Sequence, residues 1–575
     1  MNGLSARRLR VLLAAFVLFS GAVGYRVVSF AVLQGPVLAQ RAEAFRYRED
    51  IVPAHRGDIL DARGRVLATD IPADRVSAIV RQVEDPHRTA QLLAPLIGRS
   101  AEDIEAALTQ PGREWVVLQR QLDPEVSAQI RALELPGIVL DPEPKRAYPM
   151  GDFASQVLGF VNWEYRGAYG LEAAYDSVVG GIPGQLVGER DLAGNVIALG
   201  QSSWSPPKDG ATLVLTIDSA VQYLAESVLE RTIQEQRAAG GTIIVMDVRT
   251  GAILAMANRP SFDPNRFTAV SDPALFVNRS VSATYEPGST FKVITMALGL
   301  DAGVVTPQTV VDGGTYRELP DGTRIYNALL QEFGLETMTE VLIHSSNVGA
   351  MEVVDRLGPE RFYDGVERFG FGQPSGVDLP GEVEGIVNRP GTAGWSLTTF
   401  YTNAFGQGIA VTPLQLVVAV SAIANGGVLM RPYIVQEIRD GQRIQVTEPT
   451  TVRRVIREET ARTLSEMLAE VMDSYSTRFR IPGYRIAAKT GTAEIPGPHG
   501  YERGEGATIA SVIGYGPVEN PRFCVLVKID RPKGSPWGER AAGPAFAEVF
   551  RQLLLLYGIP PSQPVDSVAG EGGRP

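Results

Sequence analysis

One cysteine, four histidines and six lysines are all that these 575 residues hold of those three types. A lone Cys524 cannot close an intrachain disulfide or build a thiolate zinc site. His55, His87, His344 and His499 are scattered, and none pair at metal-ligand spacing, so neither metal nor cofactor is expected. Basic residues are outnumbered, 54 against 65 acidic, for a formal charge of −11. Nucleic acid needs a basic footprint to neutralise its phosphates, so a nucleic-acid partner is not expected. Redox, zinc and DNA-binding functions are set aside together. Disorder is excluded too, because 44% hydrophobic and 21% charged residues make a globular composition. The length implies several domains, since single cores rarely grow past ~250–300 residues.

The basic residues are unevenly drawn: 48 arginines, but only Lys145, Lys208, Lys292, Lys489, Lys528 and Lys533. Arginine stays charged, whereas lysine can give up its proton. In a chain that uses arginine wherever a positive charge is enough, each lysine is a candidate for chemistry.

At the N-terminus Arg7, Arg8 and Arg10 precede a charge-free run, Val11–Tyr25, and apolar residues resume after Arg26 through Leu33. Fifteen residues reach only ~22 Å. Including Arg26 supplies the roughly twenty residues that a bilayer needs. A cleaved signal peptide, with Ala22-Val23-Gly24 as its site, and an uncleaved anchor both fit; the resumed apolar run favours the anchor. Residues 1–10 then form a cytoplasmic tail, 11–33 a transmembrane helix, and the rest lies outside the cytoplasm. Arg26 either snorkels or meets a membrane partner.

Beyond the anchor, Arg56–Asp61 and Val66–Ala68 flank Gly64 and read as two short strands around a tight turn. Asp103–Leu108 and Pro124–Leu133 read as amphipathic helices, and 37–205 as a mixed α+β segment. After the linker Trp204–Pro207, Thr212–Thr216 is a strand and Asp218 an N-cap for a helix carrying Val221, Leu224, Ala225, Val228 and Leu229. Thr242–Asp247 and Ala252–Ala257 form a hairpin through Arg249-Thr250-Gly251. Thr508–Tyr515 and Phe523–Asp530 are strands, and Ala545–Tyr557 is an apolar helix. A sheet assembled from both ends of a segment, with helices inserted between, predicts a layered α/β domain over 206–560. Residues 561–575 read as a disordered tail.

Three short motifs carry the chemistry. Ser289-Thr290-Phe291-Lys292 follows Pro287-Gly288 and opens a helical run, so Ser289 sits at a helix N-terminus with the Lys292 amine in reach of its hydroxyl. A desolvated lysine can take the proton that makes serine a nucleophile. Alone the spacing means little, since chance supplies about 0.4 such matches in a chain of this make-up. Ser345-Ser346-Asn347 follows within the helical context Met338–Val354, offering a hydroxyl and an amide on one element. Lys489-Thr490-Gly491-Thr492 then reads as the end of a strand, where Gly491 lets a substrate backbone approach closely. Two of six lysines fall in two of three motif slots, and together the three point to a serine enzyme. Glu286 reads as a buttress of the nucleophile turn. Cys524 reads as packing, and Pro496–Gly506 as a mobile rim loop with His499 solvated.

S-x-x-K, S-x-N and K-T-G in this order resemble the penicillin-binding proteins and serine β-lactamases. Arg56-Gly57-x-Ile59-Leu60-Asp61, Arg146-x-Tyr148-Pro149 and Gly170-Leu171-Glu172 resemble the pedestal motifs of class B penicillin-binding proteins. Gly376–Glu382 and Gly406-Gln407-Gly408-x-x-Val411-Thr412-Pro413 fit the second domain. Ser-Ser-Asn-Val-Gly at 345–349 is most similar to the cell-division branch, FtsI and its sporulation relatives. One departure is Asp61-Ala62-Arg63-Gly64, where the family usually has Asp-Arg-Asn-Gly.

The resemblance implies an N-terminal transmembrane helix, an α+β pedestal or dimerisation-like domain over 37–205, and a transpeptidase domain over 206–560 with a central antiparallel sheet flanked by helices. It implies that Ser289 attacks the D-Ala–D-Ala carbonyl of a peptidoglycan stem peptide and that Lys292 takes its proton. Ser345 relays the proton to the leaving amine with Lys489, and Asn347 binds a substrate amide. Thr490 and Thr492 hold the terminal carboxylate, and the Ser289 and Thr492 N–H groups form the oxyanion hole. β-Lactam antibiotics acylate the same serine. The expected partners are a membrane glycosyltransferase and other division proteins, because no glycosyltransferase segment is recognisable here. The competing readings are a D,D-carboxypeptidase or β-lactamase, an elongation-branch transpeptidase, and a non-catalytic scaffold or β-lactam sensor.

Overall fold

The apolar run after Arg10 folds as a helix, Gly3–Val28, continued by a π-helical turn over Ser29–Leu33. The structure is a computed structural model describing residues 3–35, 47–189, 202–475, 479–498 and 500–563. Arg7–Val32, 26 residues, is long and apolar enough to cross a membrane. At ~1.5 Å per residue such a helix outreaches a ~30 Å hydrocarbon layer. Arg26 lies inside this span with its guanidinium 5.5 Å from the Phe30 ring centroid. The helix belongs to a unit made of residues 1–55 and 181–210, which also holds an antiparallel sheet of Tyr47–Val52, Gly184–Glu189 and Ser202–Ser205.

Residues 56–180 and 211–575 form the second unit. In it the two expected short strands, Ile59–Leu60 and Val66–Ile71, pair antiparallel. The departing turn between them holds its shape through Asp61, whose Oδ1 accepts from the Arg63 and Arg65 N–H groups at 2.8 Å each. Gly64 closes the turn at φ +80°, a backbone that disfavours a side chain. Arg63, the residue of the departure, pairs with Asp218 at 2.6 Å.

Three distant sequence motifs meet beside this turn in a buried ionic cluster. Arg56 reaches Glu172 at 2.7 Å and Asp176 at 2.8 Å, while Arg146 reaches Glu172 at 2.7 Å and Asp70 at 3.2 Å. Tyr148 donates to Glu172 at 3.3 Å, and Tyr165 donates to Asp70. A buried guanidinium survives only when such carboxylates compensate it. A smaller lobe nearby sets strand Asp74–Ile79 between Trp115–Leu122 and Ile138–Pro142, with Val76, Leu93, Ile104 and Leu118 in its own core.

The catalytic layer is a five-stranded antiparallel sheet, β1 (Gly240–Asp247), β2 (Ile253–Arg259), β3 (Ala487–Glu494), β4 (Thr508–Gly516) and β5 (Phe523–Asp530). The order is β2-β1-β5-β4-β3, so the sheet joins the two ends of the domain, with β3 at one edge. β1, β2, β4 and β5 are mostly apolar because both faces of the sheet are covered, whereas the edge strand β3 carries the polar third motif. Ile243 and Val245 pack with α1 (Ser219–Gln236) and with Phe546 and Phe550 of the C-terminal helix Gly543–Leu556. Ile244 and Met246 face the other core, which holds α2 (Lys292–Asp301) and the helix Pro413–Ala424. Asp218 caps α1 as expected, accepting from the Ala220 N–H at 2.9 Å.

Cys524 lies fully buried on β5, and burial pushes its thiol up to about 12. Thiolate is the reactive form. Thiol reagents at pH 8 are therefore expected to leave the folded protein unlabelled and to label it once denatured. Rapid labelling in native buffer would contradict the packing role.

Candidate active site

Gly288–Phe291 forms a 3₁₀ turn that runs straight into α2, which places Ser289 at a helix entrance and Lys292 on the first α-helical residue. Two glycines make this turn possible. Gly406, at φ +80°, lies so close that a Cβ there would meet the Gly288 carbonyl oxygen at 2.3 Å. The reason for glycine at 491 differs from the expectation: its missing side chain faces the Thr290 methyl at 2.8 Å and the Pro287 carbonyl at 3.0 Å. It lets β3 pack against the nucleophile turn.

The helical context around the second motif is broken in two. α3 (Met338–His344) ends at Ser345, and α4 (Asn347–Leu357) starts two residues later. Ser345 stands in the left-handed region at φ 59°, and Ser346 caps α4 by accepting from the Gly349 N–H at 3.0 Å. The break points both the Ser345 carbonyl and its hydroxyl at Lys292. The third motif also sits differently from the expectation. β3 runs through it to Glu494, paired with β4 along its length, with Lys489 opposite Ile513 and Gly491 opposite Ser511.

These elements bring the hydroxyls and amines together. Lys292 Nζ stands 3.2 Å from Ser289 Oγ, 3.2 Å from Ser345 Oγ and 2.8 Å from Asn347 Oδ1, and it donates to the Ser345 carbonyl. Lys489 Nζ lies 3.1 Å from the other side of Ser345 Oγ. A continuous path therefore runs Ser289–Lys292–Ser345–Lys489. Both lysines are 1% exposed. Desolvation, with the neighbouring Lys489 charge, holds Lys292 well below the usual lysine range, and buried Glu336 pulls the other way. Desolvation lowers Lys489 to about 7.

Asn347 is engaged at both ends of its amide: Oδ1 accepts from Lys292, and Nδ2 donates to the Tyr326 carbonyl at 3.0 Å. The threonine hydroxyls likewise have protein partners. Thr490 Oγ1 lies 3.0 Å from Tyr475 Oη, and Thr492 Oγ1 accepts from the Gly538 N–H at 3.1 Å. Glu286 buttresses as expected, accepting from the Gly408 N–H and the Tyr501 hydroxyl at 2.9 Å each. His499 lies outside the described residues. Sequence reasoning missed Tyr326, Glu336 and Tyr475, which no motif spacing connects to the three signatures.

The depressed Lys489 has a measurable consequence. An unfolded lysine stays protonated to ~10.4, whereas the buried one loses its proton near 7. Between those values the unfolded state binds the extra proton, so stability rises with pH, and the full cost of burial is present below pH 7. Lys489→Met is expected to raise the melting temperature at pH 7 and to lose that advantage toward pH 10. An identical advantage at both pH values would show that Lys489 is charged in the fold.

A serine primed by a buried lysine, beneath an antiparallel edge strand, is the construction of the penicillin-interacting serine enzymes. Residues 241–554 match the penicillin binding protein transpeptidase domain, and residues 51–215 the penicillin-binding protein dimerisation domain. The chain belongs to the class B penicillin-binding protein transpeptidases. It is 35% identical over 564 residues to stage V sporulation protein D of Bacillus subtilis, covering 95% of this chain and 86% of that protein. It is 31% identical over 549 residues to peptidoglycan D,D-transpeptidase FtsI of Escherichia coli, covering 93% and 89%. Among solved structures it resembles a peptidoglycan synthetase from Bifidobacterium adolescentis, with a TM-score of 0.72, 29% identity, and 90% and 98% of the two chains covered. Penicillin-binding protein 3 of Mycobacterium tuberculosis complexed with aztreonam gives a TM-score of 0.69 at 27% identity, covering 90% and 99%.

Proposed function

We propose that this chain is a serine-type peptidoglycan D,D-transpeptidase of the cell-division branch and a target of β-lactams. The unbroken path Ser289–Lys292–Ser345–Lys489 carries the reading. Ser289 Oγ attacks the penultimate D-Ala carbonyl, and its proton passes to Lys292, which desolvation holds well below the usual lysine range. Ser345, flanked by both amines, delivers a proton to the departing D-alanine nitrogen as the C–N bond breaks. An amine of a second stem peptide then displaces Ser289, forming the cross-link and returning the serine proton.

Among the described residues no strand pairs with the outer side of β3, which supports binding of the stem peptide as an added strand. Lys489, Thr490 and Thr492 lie at the terminal carboxylate. The Ser289 and Thr492 N–H groups stabilise the oxyanion, where loss of one donor typically costs ~10²–10³ in rate. Asn347, held by Lys292 and Tyr326, fixes the base, and its remaining acceptor capacity is what it offers a substrate amide. Residues 1–10 lie in the cytoplasm, 11–33 span the membrane, and 37–205 serve as the pedestal of a catalytic domain over 206–560 outside it. The basic flank of Arg7, Arg8 and Arg10 supports this orientation. A membrane glycosyltransferase supplies the glycan strand, and division proteins place both at the septum.

The test is to label membranes containing the full chain with a fluorescent penicillin, follow the band for hours, and map the adduct by peptide mass. A stable adduct on Ser289 is expected. Loss of the label within minutes would mark a hydrolase and overturn the transpeptidase reading; absence of any label would remove the nucleophile.

A further inference from the structure

Asn347 reaches Lys292 from a helix whose first turn is held by a residue outside the three motifs. Asn327, only 3% exposed, accepts the Asn347 N–H at 2.8 Å and the Val348 N–H at 3.1 Å on its Oδ1. Its Nδ2 donates to the carbonyls of Gly314 at 2.8 Å and of Gly313 and Gln331 at 3.2 Å each. One side chain thus ties the entrance of α4 to two separate loop segments. The residue before it, Tyr326, accepts from Asn347 Nδ2 through its carbonyl. Backbone and side chain of Asn347 are therefore both clamped by residues 326 and 327.

The clamp sits on a stressed turn. Leu329 and Leu330 follow with φ of 56° and 55°, side chains largely exposed, closed by the Leu330 N–H to the Asn327 carbonyl at 3.2 Å. Consecutive leucines rarely adopt that backbone, and the surrounding structure must over-determine it. Here the Asn327 amide donates into the same turn at Gln331.

We propose that Asn327 is a positioning residue for acylation: by fixing the first turn of α4 it holds Asn347 Oδ1 against the Lys292 amine. The inference rests on the lysine-activated serine reading and deepens it. An amide suits the position because one end must accept two N–H groups while the other donates to carbonyls. A carboxylate keeps only the accepting end, and alanine keeps neither.

The experiment measures acylation by a fluorescent penicillin across pH for the full chain in detergent, separating noncovalent affinity from the acylation rate. Asn327→Ala is expected to slow acylation on the order of 10- to 100-fold with affinity unchanged, the low end for misplacing a general base. Its acid limb moves to lower pH, because an ammonium at Lys292 loses an acceptor. Asn327→Asp recovers part of the rate and moves the limb the opposite way, through the added negative charge. Asn347→Ala combined with Asn327→Ala loses no more than Asn347→Ala alone. Additive losses with an unmoved pH profile would make Asn327 merely structural and overturn the proposal. Where Asn327→Ala melts below the assay temperature, the nearly isosteric Asn327→Asp and its pH shift decide. Native protein that takes no label on Ser289 instead sinks the transpeptidase reading itself, so the two failures are distinct.

Discussion

Ser289→Ala takes no penicillin label, and Lys292→Arg takes it on the order of 10³-fold more slowly, within the range that general-base loss produces. Arginine keeps the hydrogen-bond donors of position 292 but stays charged and cannot accept a proton at any accessible pH. The Ser345 carbonyl and Asn347 Oδ1, which now take the amine's hydrogens, remain available to a guanidinium. The variant thus removes proton acceptance while leaving donors at the same place. Labelling of Lys292→Arg within tenfold of the native rate would show that Ser289 is activated by another group. Lys489 is then the nearest alternative, connected through Ser345.

The second large effect lies away from the chemistry. Glu172 is fully buried between Arg56 and Arg146, each at 2.7 Å, with the Tyr148 hydroxyl on the same carboxylate. Glu172→Leu leaves two buried guanidinium groups with only Asp176 and Asp70 to compensate them. Breaking one member of such a cluster typically costs 3–5 kcal/mol, about 3–5 °C of melting temperature in a unit of this size. Thermal melting of the full chain in detergent checks this. Penicillin labelling well below the melting point is expected to stay at the native rate, since no member of the cluster contacts the lysines. An unchanged melting temperature would mean that water reaches the guanidiniums.

How far the residues alone led follows from the kind of signal each element leaves. The hairpin of β1 and β2, the strands β4 and β5, and the capped α1 announce themselves by apolar runs, a Gly turn and an aspartate at the right offset. All stand where those patterns placed them. The three motifs were legible because lysine is scarce, and the structure brings Ser289, Lys292, Ser345, Asn347 and Lys489 within hydrogen-bonding reach of one another. The break at Ser345 was not legible. Met338–Val354 keeps helical periodicity across it, while the left-handed serine is held by contacts with Lys292 and the helix start after it by Asn327, twenty residues upstream of Asn347. Residue preferences are local, whereas this turn is decided by tertiary partners. The same holds for Tyr475, which follows the helix Glu458–Ser474 and brings its hydroxyl to Thr490.

The strand order bears on how the enzyme is made. β3, with Lys489, joins the sheet only through β4, and β4 reaches β1 only through β5. A chain emerging N-terminus first therefore presents Ser289, Lys292 and Ser345 long before the strand that dries their surroundings can dock. Until Asp530 has emerged, Lys489 has no sheet to hold it, and Lys292 lacks both the neighbouring cation and the wall that suppress its charge. Such distant pairings are the slow ones to form. The site is therefore completed only when the last strand of the sheet has emerged, and a chain cut short before residue 530 is expected to take no penicillin label.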